Sequence, residues 1–250
     1  MRKQDNDYID LKNMKDRDRV FSKFNKEQKE MFKSIQDNIF TFVEAKSGTG
    51  KTLVSISAMI DLLANEEINK IVYFQKVSDR YLEHGFLAGS LEEKTNMLWT
   101  PFYDAMTTLG FFESTIQHLI DKEVIILTTD SVLRGVNLEK CGVIADECEN
   151  CDTETLRLIF TRCHDDCHIV MIGDSRQKDN AHKDNREFIY YGEYLSNQEF
   201  GNKCKLTKNY RGKFSKCAED FIWRIKFQFG QISRRVETLI QRWLDIERFA

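Results

Sequence analysis

A glycine-rich octapeptide between a β-forming run and a helical stretch constrains the fold of this chain more than any other feature. It spans 45–52 and reads Ala-Lys-Ser-Gly-Thr-Gly-Lys-Thr, with the β-forming run at 39–44 and the helical stretch at 53–64. This is the Walker A pattern G-x-x-x-x-G-K-[ST] with alanine in the first position, and its glycines let backbone N–H groups turn inward around phosphates. The flanking elements predict an α/β fold that carries a phosphate-binding loop.

The chemistry of this loop predicts which groups of a nucleotide its residues contact. The ammonium of Lys51 would reach the β- and γ-phosphates, and the hydroxyl of Thr52 would hold Mg²⁺. We therefore expect ATP and Mg²⁺ as the cofactors. The residues expected to form the phosphate-binding loop are Ala45, Lys46, Ser47, Gly48, Thr49, Gly50, Lys51 and Thr52.

Short β-rich runs alternate with helical stretches along the chain, which predicts a mainly parallel sheet flanked by helices. Each run is apolar almost throughout, as expected for strands that are covered on both faces. The runs are 39–44, 70–75, 124–129, 142–146 and 168–173.

The remaining segments predict the domain organisation. Residues 1–20 are charged and lack periodicity, so we expect a mobile N-terminal arm there. The P-loop domain is expected over 21–212. Apolar residues recur at helical spacing in the last segment, which predicts a helical C-terminal extension over 213–250.

Composition limits the classes of protein to which the chain can belong. With 41% apolar and 31% charged residues, and no apolar run near the roughly 18 residues that a membrane helix needs, we expect a soluble protein without a membrane partner. The N-terminus lacks the apolar core of a signal peptide, and seven cysteines without a regular framework indicate reduced thiols. A cytoplasmic location is therefore expected.

Positive charge is concentrated towards the C-terminus. The formal net charge is only −3, but 201–235 contains ten lysines or arginines, opposed by Glu219 and Asp220 alone. A solvated helix face would produce the same pattern, so the run by itself does not assign nucleic-acid binding.

A second candidate site element is the apolar run that ends in Asp146 and Glu147. This is the Walker B form, in which Asp146 would hold Mg²⁺, usually through water, and Glu147 would orient and polarise the attacking water. Acids at the carboxyl end of a strand lie where α/β sheets bind ligands. An Asp-Glu pair could also cap the next helix, so the assignment depends on the octapeptide. Glu147 favours ATP hydrolysis over phosphoryl transfer to a metabolite, because a small-molecule kinase needs no acid to activate water.

A third element follows the run 168–172 and reads Gly173-Asp-Ser-Arg-Gln177. This spacing places the amide of Gln177 at the carboxyl end of a neighbouring strand, where it could contact the γ-phosphate and respond to its loss. An ordinary turn is the alternative interpretation.

The order of Gln28, the octapeptide, the Asp-Glu pair and GDxxQ resembles superfamily-1 helicases, and more specifically the PhoH family of phosphate-starvation-inducible ATPases. The segments 85–94, 101–105 and 131–135 are similar to that family's sequences, and the resemblance covers roughly 24–180. It implies a RecA-like core, ATP hydrolysis and a link to RNA or single-stranded DNA.

The resemblance also implies roles for individual residues. Gln28 would contact the adenine edge, with a surface glutamine as the alternative, and Arg211 and Arg134 would contact the γ-phosphate. The chain departs from the family at Ala45, where glycine is usual, and at Arg80, which lacks a neighbouring proline. The family usually reads DEAQN at 146–150, so Glu149 replaces a glutamine.

Three functions remain open at this point: an ATPase coupled to RNA or single-stranded DNA, a nucleotide-gated binding or assembly protein whose slow hydrolysis acts as a timer, and a P-loop kinase for a small molecule.

About 39 residues follow Arg211, too few for a second sheet domain. A neighbouring copy could supply the arginine that stabilises the transition state, so we expect a homo-oligomer, such as a hexameric ring.

Four cysteines allow an alternative interpretation as a zinc site, because their spacing superficially resembles a zinc-ligand pattern. They are Cys148, Cys151, Cys163 and Cys167. Each can instead be a small buried thiol, so we expect no zinc.

Overall fold

The computed structural model describes residues 15–76, 98–133, 135–176 and 186–215, together with residues 217 and 221. The order of the strands across the sheet, numbered along the chain, is β3-β2-β4-β5-β1-β6, and each neighbouring pair is parallel. Within the described residues these six strands are β1 (Phe40–Ala45), β2 (Lys70–Gln75), β3 (Ile125–Thr128), β4 (Cys141–Asp146), β5 (His168–Gly173) and β6 (Gly201–Leu206).

Helices cover both faces of this sheet, so the predicted RecA-like α/β fold is confirmed. The helix predicted after the octapeptide begins inside it, at Lys51. In the described part of the chain the helices are α1 (Lys15–Ser22), α2 (Lys26–Asp37), α3 (Lys51–Ala64), α4 (Thr100–Thr108), α5 (Glu113–Asp121), α6 (Asp130–Leu133), α7 (Thr153–Phe160) and α8 (Arg186–Ser196), with a 3₁₀ turn at Cys148–Asn150.

The continuous apolar runs arise because successive side chains of a strand enter two different cores. On β2, Ile71 and Tyr73 pack with α2, α3, α4 and α5, whereas Val72 and Phe74 pack with α6, α7 and α8 on the opposite face. Side chains alternate between the faces of a strand, so both faces must be apolar when both are covered. This explains why the sequence predicted the central strands well.

The edge strand β6 was missed by the sequence prediction. Only Cys204 and Leu206 are buried on it, while Asn202, Lys203 and Lys205 are exposed. An edge strand has one neighbour and needs little apolar surface, and lysines on it oppose pairing with another chain. The first part of the basic segment 201–235 is therefore a strand.

The N-terminal segment differs from the expected arm over residues 15–20, because α1 begins at Lys15. Val20 and Phe24 are buried in the core that contains Ile71, and the Phe21 ring lies 4.8 Å from the Phe32 ring of α2. These contacts anchor α1. Residues 1–14 lie outside the described residues, so the mobile arm remains a prediction there.

The chain forms two compact units, Met1–Lys208 and Asn209–Ala250. Residues 213–215 of the second unit are helical, but most of the predicted helical extension lies outside the described residues, so the domain boundaries remain predictions. In the portions of the chain described above, no helix has both the length and the apolar character that a membrane span requires.

Candidate functional site

The parallel sheet brings the carboxyl ends of its strands to one edge, and the candidate residues that follow β1 and β4 lie there. Strand β5 runs between β4 and β1, with Met171 opposite Ala145 and Gly173 opposite Glu44. The residues that follow β5 therefore lie between the octapeptide and the acid pair.

The octapeptide forms a loop that folds around the side chain of Lys51. Gly48 and Gly50 have φ of +75° and +85°, a left-handed conformation that favours glycine. The Lys51 Nζ donates hydrogen bonds to the carbonyl oxygens of Ala45 at 2.9 Å and Lys46 at 3.4 Å. Two carbonyl oxygens therefore contact this ammonium, and phosphate oxygens could replace them.

One contact shows that the loop can bind an anionic oxygen. The backbone N–H of Ser47 donates to Oδ2 of Asp174 at 3.0 Å. Asp174 directly follows β5 and is buried, and its Oδ1 accepts a hydrogen bond from Arg176 Nε at 3.1 Å. A backbone N–H group of the loop thus binds an anionic oxygen of the kind that a phosphate presents, which fits the group that the loop sequence implies.

Asp146 joins three parts of the chain. Its Oδ2 accepts hydrogen bonds from the Thr52 hydroxyl at 2.7 Å and from the Tyr73 hydroxyl at 2.8 Å, and its Oδ1 accepts from the Glu147 backbone N–H at 2.8 Å. Only 3% of Asp146 is exposed. These donors stabilise the ionised carboxylate in a buried place.

The oxygens of Thr52 and Asp146 could hold Mg²⁺ in part. This ion takes oxygen ligands and is usually bound by one or two carboxylates together with substrate phosphates and water. Among the described residues, no three side chains of aspartate, glutamate, histidine or cysteine converge on a metal position. Phosphate oxygens and water would therefore have to supply the remaining ligands.

Tyr73 is a site residue that the sequence analysis missed. It lies within the apolar run of β2, and its ring packs against Trp99 and Phe102 with centroid distances of 6.3 and 5.3 Å. Burial, with the neighbouring Asp146, raises the pKa of the Tyr73 hydroxyl well above its usual value. Tyr73 therefore stays a neutral donor to Asp146 at physiological pH.

Glu147 has an unusual backbone conformation for a residue with a side chain. Its φ is +52° and its ψ +37°, in the left-handed region. The chain leaves β4 at this point and enters the 3₁₀ turn. Such conformations in residues other than glycine cost energy and cluster at functional sites. The turn directs the Glu147 backbone away from the line of the strand.

Gln28 contacts the loop itself. Its side-chain Nε2 donates to the Thr49 carbonyl at 3.0 Å, and its Oε1 accepts from the Asn25 backbone N–H at 3.0 Å in a capping box. A Cβ on Gly50 would lie 2.8 Å from that Nε2. Gln28 is only 5% exposed, so it is not the surface glutamine of the alternative interpretation. Its contact with adenine remains a prediction.

Glu149 is the second residue whose position the sequence did not predict. It lies in the 3₁₀ turn and is 5% exposed, and its Oε2 has no hydrogen-bond partner within the described residues. Burial raises its pKa to about 8, with Glu147 and Asp146 adding to the rise and Lys51 opposing it. This carboxyl group is therefore mostly protonated at pH 7.

The described structure does not test the positions of three other predicted site residues. Gln177 and Arg134 lie outside the described residues. Arg211 belongs to the second unit, where its backbone N–H donates to the Asn209 side chain at 2.8 Å. Their contacts with the γ-phosphate remain predictions.

The four cysteines of the zinc interpretation do not form one cluster. Cys148 and Cys151 follow the carboxyl end of β4. The thiol of Cys167 instead lies within hydrogen-bonding reach of Cys163 and of Cys141, which begins β4. The two pairs are thus at opposite ends of one strand, and all seven cysteines of the chain are free thiols.

The family model and two curated relatives that match this chain are all described as PhoH or PhoH-like proteins. The family model for PhoH-like protein matches residues 21–212. The PhoH-like protein of Synechocystis sp. is 29% identical over 153 residues, which are 61% of this chain and 46% of that protein. Protein PhoH of Escherichia coli K12 is 26% identical over 158 residues, 62% of this chain and 44% of that protein.

The chain spans under half the length of these two curated relatives. Among solved structures, the Hef helicase domain of Pyrococcus furiosus is similar to this chain. The alignment covers 76% of this chain and 39% of the Hef chain, with 12% sequence identity and a TM-score of 0.41.

The hydrogen bond from Tyr73 to Asp146 can be tested with a variant that removes one oxygen atom. In Tyr73→Phe, Asp146 loses a donor, so we expect Mn²⁺ or Mg²⁺ to bind the complex with a non-hydrolysable ATP analogue about 10-fold more weakly. Titration calorimetry would measure the metal affinity. Tyr103→Phe is the matched control, because its hydroxyl does not contact Asp146. Equal metal affinity in wild type and Tyr73→Phe would contradict a role for this bond.

Proposed function

The chain belongs to the PhoH-like protein family, and we propose that it is a P-loop ATPase that binds ATP with Mg²⁺ and hydrolyses it. The observation that carries this proposal is the hydrogen bond between Thr52 and Asp146, which are 94 positions apart in sequence. It joins the hydroxyl of the Walker A loop to the carboxylate of the Walker B strand, and both are the oxygen ligands that a nucleotide-bound Mg²⁺ uses.

The residues of the loop have a defined task in this proposal. Backbone N–H groups of the loop bind the phosphates, and the Lys51 ammonium exchanges its contacts with the Ala45 and Lys46 carbonyls for contacts with phosphate oxygens. Thr52 and Asp146 hold the metal, while Tyr73 keeps the Asp146 carboxylate in one orientation. When bound, Mg²⁺ neutralises charge on the β- and γ-phosphates.

Glu147 is the group that would activate water. Its carboxylate would accept a proton from the attacking water, a contribution that general bases make at the scale of 10²–10⁴ in rate. Two features support this role: its position next to Asp146 at the carboxyl end of β4, and a backbone conformation that turns it off the strand axis. A small-molecule kinase would need no such base.

Coupling to single-stranded RNA or DNA is the finer part of the proposal. The charge argument from 201–235 is weaker than the sequence indicated, because Lys203 pairs with Glu193 at 2.7 Å. The second unit offers better support, since Tyr210 and Phe214 are 48% and 89% exposed beside the exposed cations Arg211 and Lys213. Aromatic rings interleaved with positive charges suit stacked bases and their phosphates.

A homo-oligomer, such as a ring, and a cytoplasmic location complete the proposal. Head-to-tail contact between copies could bring an arginine of one copy to the γ-phosphate of the next, and an arginine in this role contributes roughly 10³–10⁵ in rate. Arg211 and Arg134 are the candidates from the sequence.

Hydrolysis should depend on the loop and on the acid in different ways. Lys51→Ala should bind ATP weakly and lose turnover, because it lacks the phosphate-binding ammonium. Glu147→Gln should bind ATP as wild type does but hydrolyse it at least about 100-fold more slowly, the scale of a lost general base. Nucleotide affinity and phosphate release measure the two effects.

Glu154→Gln is the matched control, because this exposed glutamate of α7 pairs with Arg157 and is not part of the proposed site. Normal turnover in Glu147→Gln would show that another group is the base.

Binding of single-stranded nucleic acid should depend on the exposed rings of the second unit. We expect labelled RNA or DNA to bind with strong salt dependence, and Tyr210→Ala with Phe214→Ala to weaken binding roughly 10-fold or more through lost stacking. Phe112→Ala is the control, since Phe112 is also exposed, at 78%, and belongs to the other unit. Absence of binding at low salt with an ATP analogue would remove the coupled ATPase and favour a nucleotide-gated timer.

A further inference from the structure

Glu149 is a buried carboxyl group to which the proposed hydrolysis gives no role. It lies two residues after Glu147 in the 3₁₀ turn Cys148–Asn150, and its Oε2 is buried without a hydrogen-bond partner in the part of the chain that the structure describes. Burying an unpaired polar atom destabilises a fold, and burying an unpaired charge destabilises it far more. Such a group is retained at a cost to stability.

The side chain of Glu149 reaches the strand that separates the acid pair from the phosphate-binding loop. A Cβ on Gly173, the last residue of β5, would lie 2.5 Å from Glu149 Oε2 and 2.6 Å from the Phe188 ring. A side chain at this position would therefore have to displace the Glu149 carboxyl group or the Phe188 ring. The next residue, Asp174, makes the hydrogen bond to the Ser47 backbone N–H.

The charged groups around Glu149 come from several elements. Asp146 and Glu147, at the end of β4, raise the pKa of Glu149, while Lys51, at the start of α3, lowers it. Asp174 follows β5, where Ser47 and Arg176 bind its carboxylate. An ionised Glu149 would therefore add a fourth carboxylate to this region, where Lys51 is the positive charge that lowers its pKa.

We propose that Glu149 acts as a neutral carboxylic acid that positions the carboxyl ends of β4 and β5 for nucleotide binding, and that its ionisation weakens that binding. In the protonated form it offers one O–H donor and an acceptor oxygen without adding charge. In the ionised form it repels the phosphates and attracts the Lys51 ammonium away from them. This inference rests on the proposed nucleotide site.

The direction of the pH effect follows from linkage. Phosphates bring negative charge near Glu149, so they favour its protonated form and raise its pKa further when they bind. Binding then takes up a proton from solvent wherever the free protein has lost it. Because the pKa in the free protein is about 8, nucleotide affinity should be constant below that pH and fall above it.

The test compares the affinity for a non-hydrolysable ATP analogue with Mg²⁺ from pH 6.5 to 9.5 in wild type and Glu149→Gln. The amide is neutral at every pH and has nearly the shape of the acid. We expect wild-type affinity to fall by up to about 10-fold per pH unit above 8, the limit for one linked proton. Glu149→Gln should keep its neutral-pH affinity throughout, and the control Glu154→Gln should behave as wild type.

Calorimetry in buffers of different ionisation enthalpy would report the proton uptake directly, expected near pH 8.5 in wild type and absent in Glu149→Gln. Identical pH profiles for wild type and Glu149→Gln would overturn the proposal. So would a folded Glu149→Gln that has lost nucleotide binding at pH 7. If the wild type binds no nucleotide at any pH, the proposed ATPase function is wrong as well. If it binds nucleotide with the same pH profile as Glu149→Gln, only the proposal for Glu149 is wrong.

A second measurement tests the proposal on the wild type alone, in case the Glu149→Gln variant does not fold. Difference infrared spectra of the wild type should contain the carbonyl stretch of a protonated carboxylic acid that disappears with a midpoint near pH 8. Absence of such a band between pH 6.5 and 9.5 would also overturn the proposal, because a buried glutamate that is ionised at neutral pH cannot act as a neutral acid.

Discussion

The hydrogen bonds to Asp146 are the interaction on which the site depends. This carboxylate is almost completely buried, and removing an ion from water costs several kcal/mol unless hydrogen bonds compensate it. Thr52, Tyr73 and the Glu147 backbone provide that compensation from α3, β2 and the end of β4. The parallel sheet makes this convergence possible, because it brings the ends of distant segments to one edge.

Two other polar residues at this edge have features that lower the stability of the fold. Glu147 has a left-handed backbone, and Glu149 buries an oxygen without a partner in the described chain. Each feature costs roughly 1–3 kcal/mol. The two apolar cores on either side of the sheet offset such costs. Strain of this kind is common where a site must be preorganised.

The sequence predicted what depends on contiguous residues. The loop 45–52 and the central strands carry their signals locally, as glycines, lysine, hydroxyl and apolar runs. The sequence did not predict β6, because an edge strand lacks the apolar pattern. It did not predict the start of α1 either, because charged residues outnumber the apolar residues of this helix. Tyr73 and Glu149 were missed for a different reason: their roles follow from the pairing of β2 with β4 and β4 with β5, which local patterns do not specify.

A crystal structure with Mg²⁺ and a non-hydrolysable ATP analogue tests the central claim most directly. We expect the metal to lie between the Thr52 hydroxyl and Asp146, which would no longer be hydrogen-bonded to each other. The Lys51 ammonium should have left the Ala45 carbonyl for a phosphate oxygen. Phosphates bound away from 45–52, or a nucleotide complex in which the direct hydrogen bond between Thr52 and Asp146 persists with the metal elsewhere, would contradict the account.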